Sequence, residues 1–258
     1  MQTAKQKLKR AAPWLFLLLV LAGLAAVRGL AANYEIGYEI MNGDFQNYNP
    51  VRHLLAGQVP YRDFTVYLGA GELYSVGGLL LVLGNSFGRS MFATNFCTWF
   101  YFELLVLAVC LVVIGTARAA RAAALALCSV FFAYVQGANL PFAGQVNTLL
   151  SYAAANGNSA RMMRSAALTL AVLVILLGLH FCQQDTSRRL LAPAVLVPFA
   201  AGFFVPWSND MGGAAYISIA LGYGLYLIRL YRSSIGKIVV QTLRYIVTSV
   251  VGLGVSVL

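Results

Sequence analysis

Residues 66–84 read VYLGAGELYSVGGLLLVLG, and the way in which this stretch meets a membrane decides the fold of the chain. It is almost as apolar as a membrane span, yet it contains several glycines and the carboxylate of Glu72. The chain around it has the composition of a membrane protein. Of its 258 residues, 60% are hydrophobic and only 10% are charged, whereas soluble domains carry roughly 25% charged residues. The topology therefore depends on whether the stretch crosses the bilayer or lies along its surface.

Other apolar runs in the chain are long enough to cross a membrane. A helix needs about 20 residues to span a hydrocarbon core of roughly 30 Å. By this measure the predicted spans are residues 13–32, 91–115, 121–138, 164–183, 190–207, 213–231 and from about 239 to the last residue. The first run could also be the core of a signal sequence cleaved after Ala32, but its length favours an uncleaved first helix.

The distribution of basic residues favours a surface position for residues 66–84. If this stretch does not cross, the basic residues that flank the spans fall on one side, as the positive-inside rule requires. We therefore predict an all-α transmembrane bundle of about seven spans, with a cytoplasmic N-terminus and interfacial helices in the first loop. The basic residues that then share the cytoplasmic side are Lys5, Lys7, Lys9, Arg10, Arg118, Arg121, Arg188, Arg189, Arg229, Arg232 and Lys237.

This arrangement defines one membrane domain, residues 1–258, with an acidic extracytoplasmic loop at residues 33–90. The turn Trp207-Ser208-Asn209-Asp210 is expected on the same side as that loop. The net charge of +10 is spread over the ends of the apolar runs, so it does not indicate a nucleic-acid-binding face. The four cysteines form no CxxC pair, and the sequence gives no basis for a zinc site or a disulfide framework.

Acidic side chains cluster in the first loop. Five of the eight acidic residues of the chain lie between Glu35 and Glu72. A carboxylate beside a bilayer is costly unless it is solvated, paired or used in function. The loop is therefore the predicted functional site. Glu103 differs from these acids because it lies midway along a predicted span, where we expect it to be paired, protonated or facing a cavity.

The segment Leu54–Phe64, LLAGQVPYRDF, predicts the end of a helix followed by a polar turn. Gly57 is suited to a helix C-terminus, and Pro60 prevents the helix from resuming. Arg62 and Asp63 follow at once. Asp63 is therefore either a second catalytic acid or one half of a local ion pair with Arg62.

A first span, an acidic extracytoplasmic loop and the motif AGQVPYRDF resemble the bacterial membrane glycosyltransferases of the GT-C superfamily, in the protein O-mannosyltransferase-like and aminoarabinose-transferase-like group. The similarity covers roughly residues 1–120, and the chain could be the N-terminal part of a longer protein of this kind. Members commonly carry an Asp-Glu pair before the motif. Here Asp44 stands 13 residues before Gly57 and Phe45 replaces the Glu, so a second carboxylate must come from elsewhere.

The resemblance implies transfer of a sugar from a polyprenyl-phosphate carrier to a hydroxyl of a glycan, lipid or protein acceptor, at the outer face of a bacterial inner membrane. An inverting transfer needs a general base, for which Asp44 is the candidate, and cations for the departing phosphate. Glu72 either binds substrate as the second carboxylate or faces water. The candidate phosphate-binding cations are Arg62, Arg89, Arg161 and Arg164.

The resemblance leaves other points open. No organic cofactor is expected, and a divalent metal held by the acidic loop is compatible with the sequence but lacks a specific ligand spacing. Two other functions are open as well. A transporter or lipid flippase would line a pathway with the outward-facing polar residues, and a non-catalytic assembly subunit would keep the fold without the complete site.

Overall fold

A computed structural model describes residues 4–34, 42–115, 118–134, 171–173, 192–209, 211–232 and 234–257, with backbone alone at some positions, among them 42–44. Within these ranges the chain is helical and has no β-strand, which confirms the all-α prediction. The α-helices are α1 (Ala4–Tyr34), α2 (Asn42–Leu55), α3 (Ala70–Leu83), α4 (Phe87–Ile114), α5 (Ala119–Tyr134), α6 (Val197–Phe203), α7 (Gly212–Leu230) and α8 (Ile235–Val257). A π-helical turn, Ala192–Leu196, precedes α6, and a 3₁₀ turn, Val205–Trp207, follows it.

Two of the described helices, α4 and α8, are long and apolar enough to cross a membrane. Shorter apolar helical stretches at Ala12–Val27, Ala119–Phe131 and Ala194–Trp207 fall in other predicted spans. The predicted span 164–183 lies almost entirely outside the described residues. The structure thus gives a helical chain with two described helices that could cross a membrane by length and composition, and the count of seven spans stays a prediction.

Helix α4 packs against both α1 and α5 in the first part of the chain. Leu17 and Leu21 of α1 meet Leu107 and Leu111 of α4 in one buried apolar cluster, and Ala122 and Ala126 of α5 complete that cluster. Glu103 of α4 is 0% exposed, so it faces the helix bundle rather than lipid, in agreement with the expectation from its position in the span.

Helix α3 is too short to cross a bilayer by itself. Its 14 residues extend about 21 Å at 1.5 Å per residue, against a core of roughly 30 Å. The helix packs instead between α2 and α4, where Val51, Val76, Leu80 and Ala93 form a second apolar cluster. This geometry supports the interpretation of residues 66–84 as a segment that does not cross.

The described part of the predicted span 190–207 is a helical run, Ala194–Trp207, in which the hydrogen-bond pattern changes along the chain. The structure divides this run into the π-helical turn, the seven-residue α6 and the 3₁₀ turn. Proline explains the division, because Pro193, Pro198 and Pro206 each lack the N–H that a continuous helix would use. Helix α8 begins at Ile235 rather than near residue 239.

Helices α6 and α8 approach each other closely at glycines. A Cβ at Gly202 would overlap the backbone of Ser249, and a Cβ at Gly252 would overlap the backbone of Phe199. Close backbone approach at small residues is a usual way of packing helices in membranes. The other face of α8 exposes many aliphatic side chains, among them Val240 and Val250, as expected for a helix that contacts lipid.

Candidate functional site

The C-terminus of α2 fixes where the polar loop starts. The Gln58 N–H donates to the carbonyl of His53, and the Gly57 N–H donates to the carbonyl of Leu54. Gly57 has a φ of +82°, so these bonds form the Schellman arrangement that closes a helix on glycine. The His53 ring pairs with the Gln58 side chain and stacks on Phe64. The helix end predicted from the sequence is confirmed.

The turn that follows is built around the carboxylate of Asp63. Its Oδ2 accepts hydrogen bonds from the Val59 N–H at 2.7 Å and from Arg62 Nη2 at 2.9 Å. Its Oδ1 accepts a bond from Arg62 Nε at 2.9 Å. Both carboxylate oxygens are thus engaged in holding the turn, and the alternative of a local Arg62–Asp63 ion pair is the one that the structure shows.

These contacts also set the acidity of Asp63. The hydrogen bonds from Arg62, followed by the bond from the Val59 N–H, lower the pKa of Asp63 to about 2. The same pairing raises the pKa of Arg62. A carboxylate this acidic is a weak base at neutral pH. The geometry therefore supports a structural role for Asp63, and its catalytic role stays an untested prediction.

Arg62 keeps part of its binding capacity. A guanidinium group has five N–H donors, and Asp63 engages Nε and Nη2. The Arg62 side chain is 70% exposed, so the remaining donors face solvent. They are available to an anion such as a phosphate group.

Tyr61 adopts a backbone conformation that is unusual for a residue with a side chain. Its φ is +63°, a left-handed conformation that costs roughly 1–2 kcal/mol outside glycine. The Tyr61 N–H bonds to the Phe64 carbonyl at 2.9 Å, and its hydroxyl bonds to Asn209 Oδ1 at 3.2 Å. Partial burial raises the pKa of Tyr61, so the phenol stays protonated and donates that bond at neutral pH.

The turn Trp207–Asn209 packs directly on the chain that leads into α3. A Cβ at Gly69 would lie 2.6 Å from the Trp207 carbonyl oxygen and 2.7 Å from Ser208 Cα. A Cβ at Gly71 would overlap the Trp207 indole ring. Glycine is therefore required at both positions by close approach. The sequence placed this turn and the acidic loop on one side of the membrane, and the structure brings the two into contact.

A small pocket lies between α2 and the start of α3. It has a volume of about 10 Å³, roughly the space for one water molecule. Glu72 is 3% exposed and Asn47 is 2% exposed, so the water-facing alternative for Glu72 is wrong. Because Gln46 on the same rim is exposed, the pocket joins the surface to the buried carboxylate. Its lining consists of Gln46, Asn47, Pro50, Val66, Leu68, Gly69, Glu72 and Leu73.

Asp44 lies one helical turn before this pocket. It belongs to α2, three residues ahead of Asn47, and residues three apart on a helix share a face. The side chain of Asp44 is outside what the structure describes. The backbone therefore places position 44 at the end of α2 that carries the pocket residues, and the orientation of its carboxylate stays a prediction.

Of the other three predicted phosphate-binding arginines, one lies among the residues that the structure describes. Arg89 lies in the first turn of α4, where its N–H bonds to the Ser86 hydroxyl at 3.4 Å. Its exposed guanidinium group packs over the backbone of Gly84. Arg161 and Arg164 lie outside the described residues. The structure thus places Arg62 and Arg89 at exposed positions of the first loop.

The described residues do not by themselves form a divalent metal site. Among them no three His, Cys, Asp or Glu side chains come together, and Glu72 is the one acidic residue that lines the pocket. A hard cation prefers several oxygen ligands.

Two contributors to the site were not identified from the sequence. Asn47 was not singled out, although its position one turn after Asp44 was a usable signal. Asn209 was treated only as part of an outer turn, and no local pattern could show that it contacts residues 61–68.

No protein-family model, curated protein or solved structure matches this chain. The likeness to the GT-C glycosyltransferases rests on the motif residues themselves.

Proposed function

We propose that this chain is a membrane glycosyltransferase that moves a sugar from a polyprenyl-phosphate carrier to an acceptor hydroxyl. The observation that carries the proposal is the pocket in which Glu72 and Asn47 are almost fully buried, one helical turn beyond Asp44. A buried carboxylate that borders a small cavity is a usual feature of acid–base sites, and Asp44 supplies a second acidic residue on the helix that carries Asn47. We further propose that the site faces the outer side of a bacterial inner membrane.

The size of the pocket limits how a substrate can occupy it. A volume of about 10 Å³ accommodates a hydroxyl group or a water molecule and excludes a sugar ring. The proposal therefore places one substrate hydroxyl beside Glu72 and Asn47, with the remainder of the substrate outside, near the exposed Gln46. Glu72 accepts the hydrogen bond of this hydroxyl and so orients the substrate, while the attacking acceptor hydroxyl that Asp44 deprotonates is a different one.

Asp44 is the proposed general base. In an inverting transfer it takes the proton of the acceptor hydroxyl while the oxygen attacks the anomeric carbon, and the bond from that carbon to the carrier phosphate breaks. The departing phosphate carries negative charge, which exposed cations stabilise. Arg62 and Arg89 are the described candidates for that role, together with Arg161 and Arg164 from the sequence.

The test uses the protein reconstituted in lipid with radiolabelled polyprenyl-phosphate sugars. Asp44→Asn should slow transfer by about 100-fold or more, because a general base contributes about 10²–10⁴-fold, while carrier binding stays within a few-fold. Asp63→Asn is the matched control and should retain most of the activity. Near-normal transfer by Asp44→Asn would remove the assignment of the base, and full activity in both variants would place the site elsewhere.

One observation favours a second function, transport. Glu103 is fully buried midway along α4, and ionisable groups inside membrane spans commonly belong to transport pathways. Vesicles that contain the protein would distinguish the two functions. Movement of a labelled lipid-linked sugar between leaflets that depends on Glu103 and not on Asp44 would favour the transporter.

A further inference from the structure

We propose that Asn209 is a positioning residue that holds one wall of the Glu72 pocket in place, so that two distant parts of the chain build the pocket together. The inference rests on the proposed function only in treating this pocket as the functional site. Its structural content can be tested without any substrate.

The hydrogen bonds of Asn209 reach a continuous stretch of backbone. Its side-chain Nδ2 donates to the carbonyls of Val66 at 2.6 Å and Tyr67 at 3.1 Å. Its backbone N–H donates to the carbonyl of Leu68 at 3.4 Å. Its Oδ1 accepts the hydroxyl hydrogen of Tyr61 at 3.2 Å. The Asn209 side chain thus uses both its amide donor and its oxygen acceptor in bonds to the loop. Together with its backbone N–H, it bonds the carbonyls of three consecutive residues, 66–68.

Two of the residues that Asn209 bonds also line the pocket. Val66 and Leu68 are lining residues, and Gly69 follows them. Both aliphatic side chains are buried, at 3% and 7% exposure. A shift of this backbone therefore moves the wall that closes over Glu72.

The chemistry of an amide is needed for this arrangement. Val66 and Tyr67 present acceptors, and Tyr61 presents a donor, so the side chain between them must both donate and accept. An aspartate at position 209 would keep the acceptor and place a second oxygen against two carbonyl oxygens. An alanine would leave all three side-chain bonds unmade.

The neighbours of Asn209 make its position well defined. Ser208 is 1% exposed, and its hydroxyl accepts the Met211 N–H at 3.2 Å. The backbone of Trp207 and Ser208 lies against Gly69. Asn209 is itself exposed, but the turn that carries it is packed against the loop.

The experiment compares Asn209→Asp with Asn49→Asp, which introduces the same charge at an exposed position of α2. Two measurements are made on the full chain in detergent: deuterium exchange of peptides covering residues 59–69, and carbodiimide labelling of Glu72 followed by mass spectrometry. Asn209→Asp should raise both rates by about tenfold or more, because the loop opens locally. Peptides of α4 and α8 should exchange as in the wild type, and Asn49→Asp should leave all rates unchanged.

A conservative variant separates positioning from general damage. Asn209→Gln keeps the donors and the acceptor, and it should restore Glu72 labelling to within about threefold of the wild type. If Asn209→Asp does not fold, Tyr61→Phe removes one of the bonds and should raise Glu72 labelling in the same direction by a smaller factor. Unchanged labelling of Glu72 in the folded variants would overturn the proposal.

The outcome does not depend on sugar transfer. Increased Glu72 labelling in Asn209→Asp combined with no transfer by the wild type would refute the proposed function and leave the positioning role intact. Normal labelling combined with robust wild-type transfer would refute the positioning role alone.

Discussion

The turn that holds Asp63 and the pocket that holds Glu72 belong to the same loop, yet they use a carboxylate in opposite ways. Asp63 is exposed, and both of its oxygens accept hydrogen bonds from within its own turn. Glu72 is buried at the start of α3 and lines a cavity with Asn47. An exposed carboxylate whose two oxygens accept the bonds of its own turn maintains a backbone shape, whereas a buried carboxylate that borders a cavity lies where a substrate group can approach it. The comparison favours the Glu72 pocket over the Asp63 turn as the proposed active site.

The largest effect is expected from a change of charge at Glu72, which tests whether this side chain is buried in the pocket. Glu72→Lys puts a longer, positively charged side chain beside a space that fits about one water molecule. Because a buried charge without a partner is strongly destabilising, this variant should lose about 3 kcal/mol or more of unfolding free energy. Glu72→Gln keeps the shape and should cost about 1 kcal/mol. Denaturant unfolding in detergent measures both. Equal tolerance of Lys and Gln would show that position 72 reaches water.

The packing of Trp207 on α3 offers a second test, because Trp207 lies against Gly71, the residue before Glu72. Gly71→Ala introduces a methyl group into the Trp207 indole, and overpacking of this kind costs about 1–3 kcal/mol. Gly78 of the same helix has no atom within 4 Å of a Cβ. Gly78→Ala should therefore be neutral or stabilising by about 0.5–1 kcal/mol. Identical thermal unfolding of the two variants would show that the Trp207 contact does not form.

The smallest effect is expected from the Asp63 turn, and it should depend on pH. The folded-state pKa of about 2 lies below the ordinary value of about 3.9. The ion pair therefore adds stability above about pH 4, and this contribution is lost as the pH falls from about 4 to about 2. The stability difference between wild type and Asp63→Asn should shrink over that range. Because the pair is exposed, the difference should be small throughout, and a large one that persisted at pH 2 would contradict the assignment.

Features determined within a few residues were predictable from the sequence. The end of α2 at Gly57 and the pairing of Arg62 with Asp63 depend on neighbours in the chain, and both appear in the structure. The change of helix type within the predicted span 190–207 also has a local cause, in Pro193, Pro198 and Pro206, but the average hydropathy of the run does not show it. Hydropathy measures the average of a segment, and a helix can be interrupted by single residues.

The pocket itself could not be predicted in the same way. Its floor combines Asn47 of α2 with Glu72 of α3, and its wall depends on Asn209. Nothing in a local pattern indicates which side chains meet across helices, because these contacts follow from packing. The clustered acids directed attention to the loop that contains the pocket, but the sequence could not show which of its carboxylates is buried.

The contact between Asn209 and the loop has a consequence for how the protein is made. The bonded residues are separated by 142 to 148 positions in the chain, and ribosomes add roughly 5–20 residues per second. On the order of ten seconds or more therefore pass between synthesis of the loop and synthesis of its partner. During that interval residues 61–68 lack the bonds to Asn209 that later order them. Maturation of the pocket is therefore a late step of biogenesis, governed by insertion of the C-terminal helices.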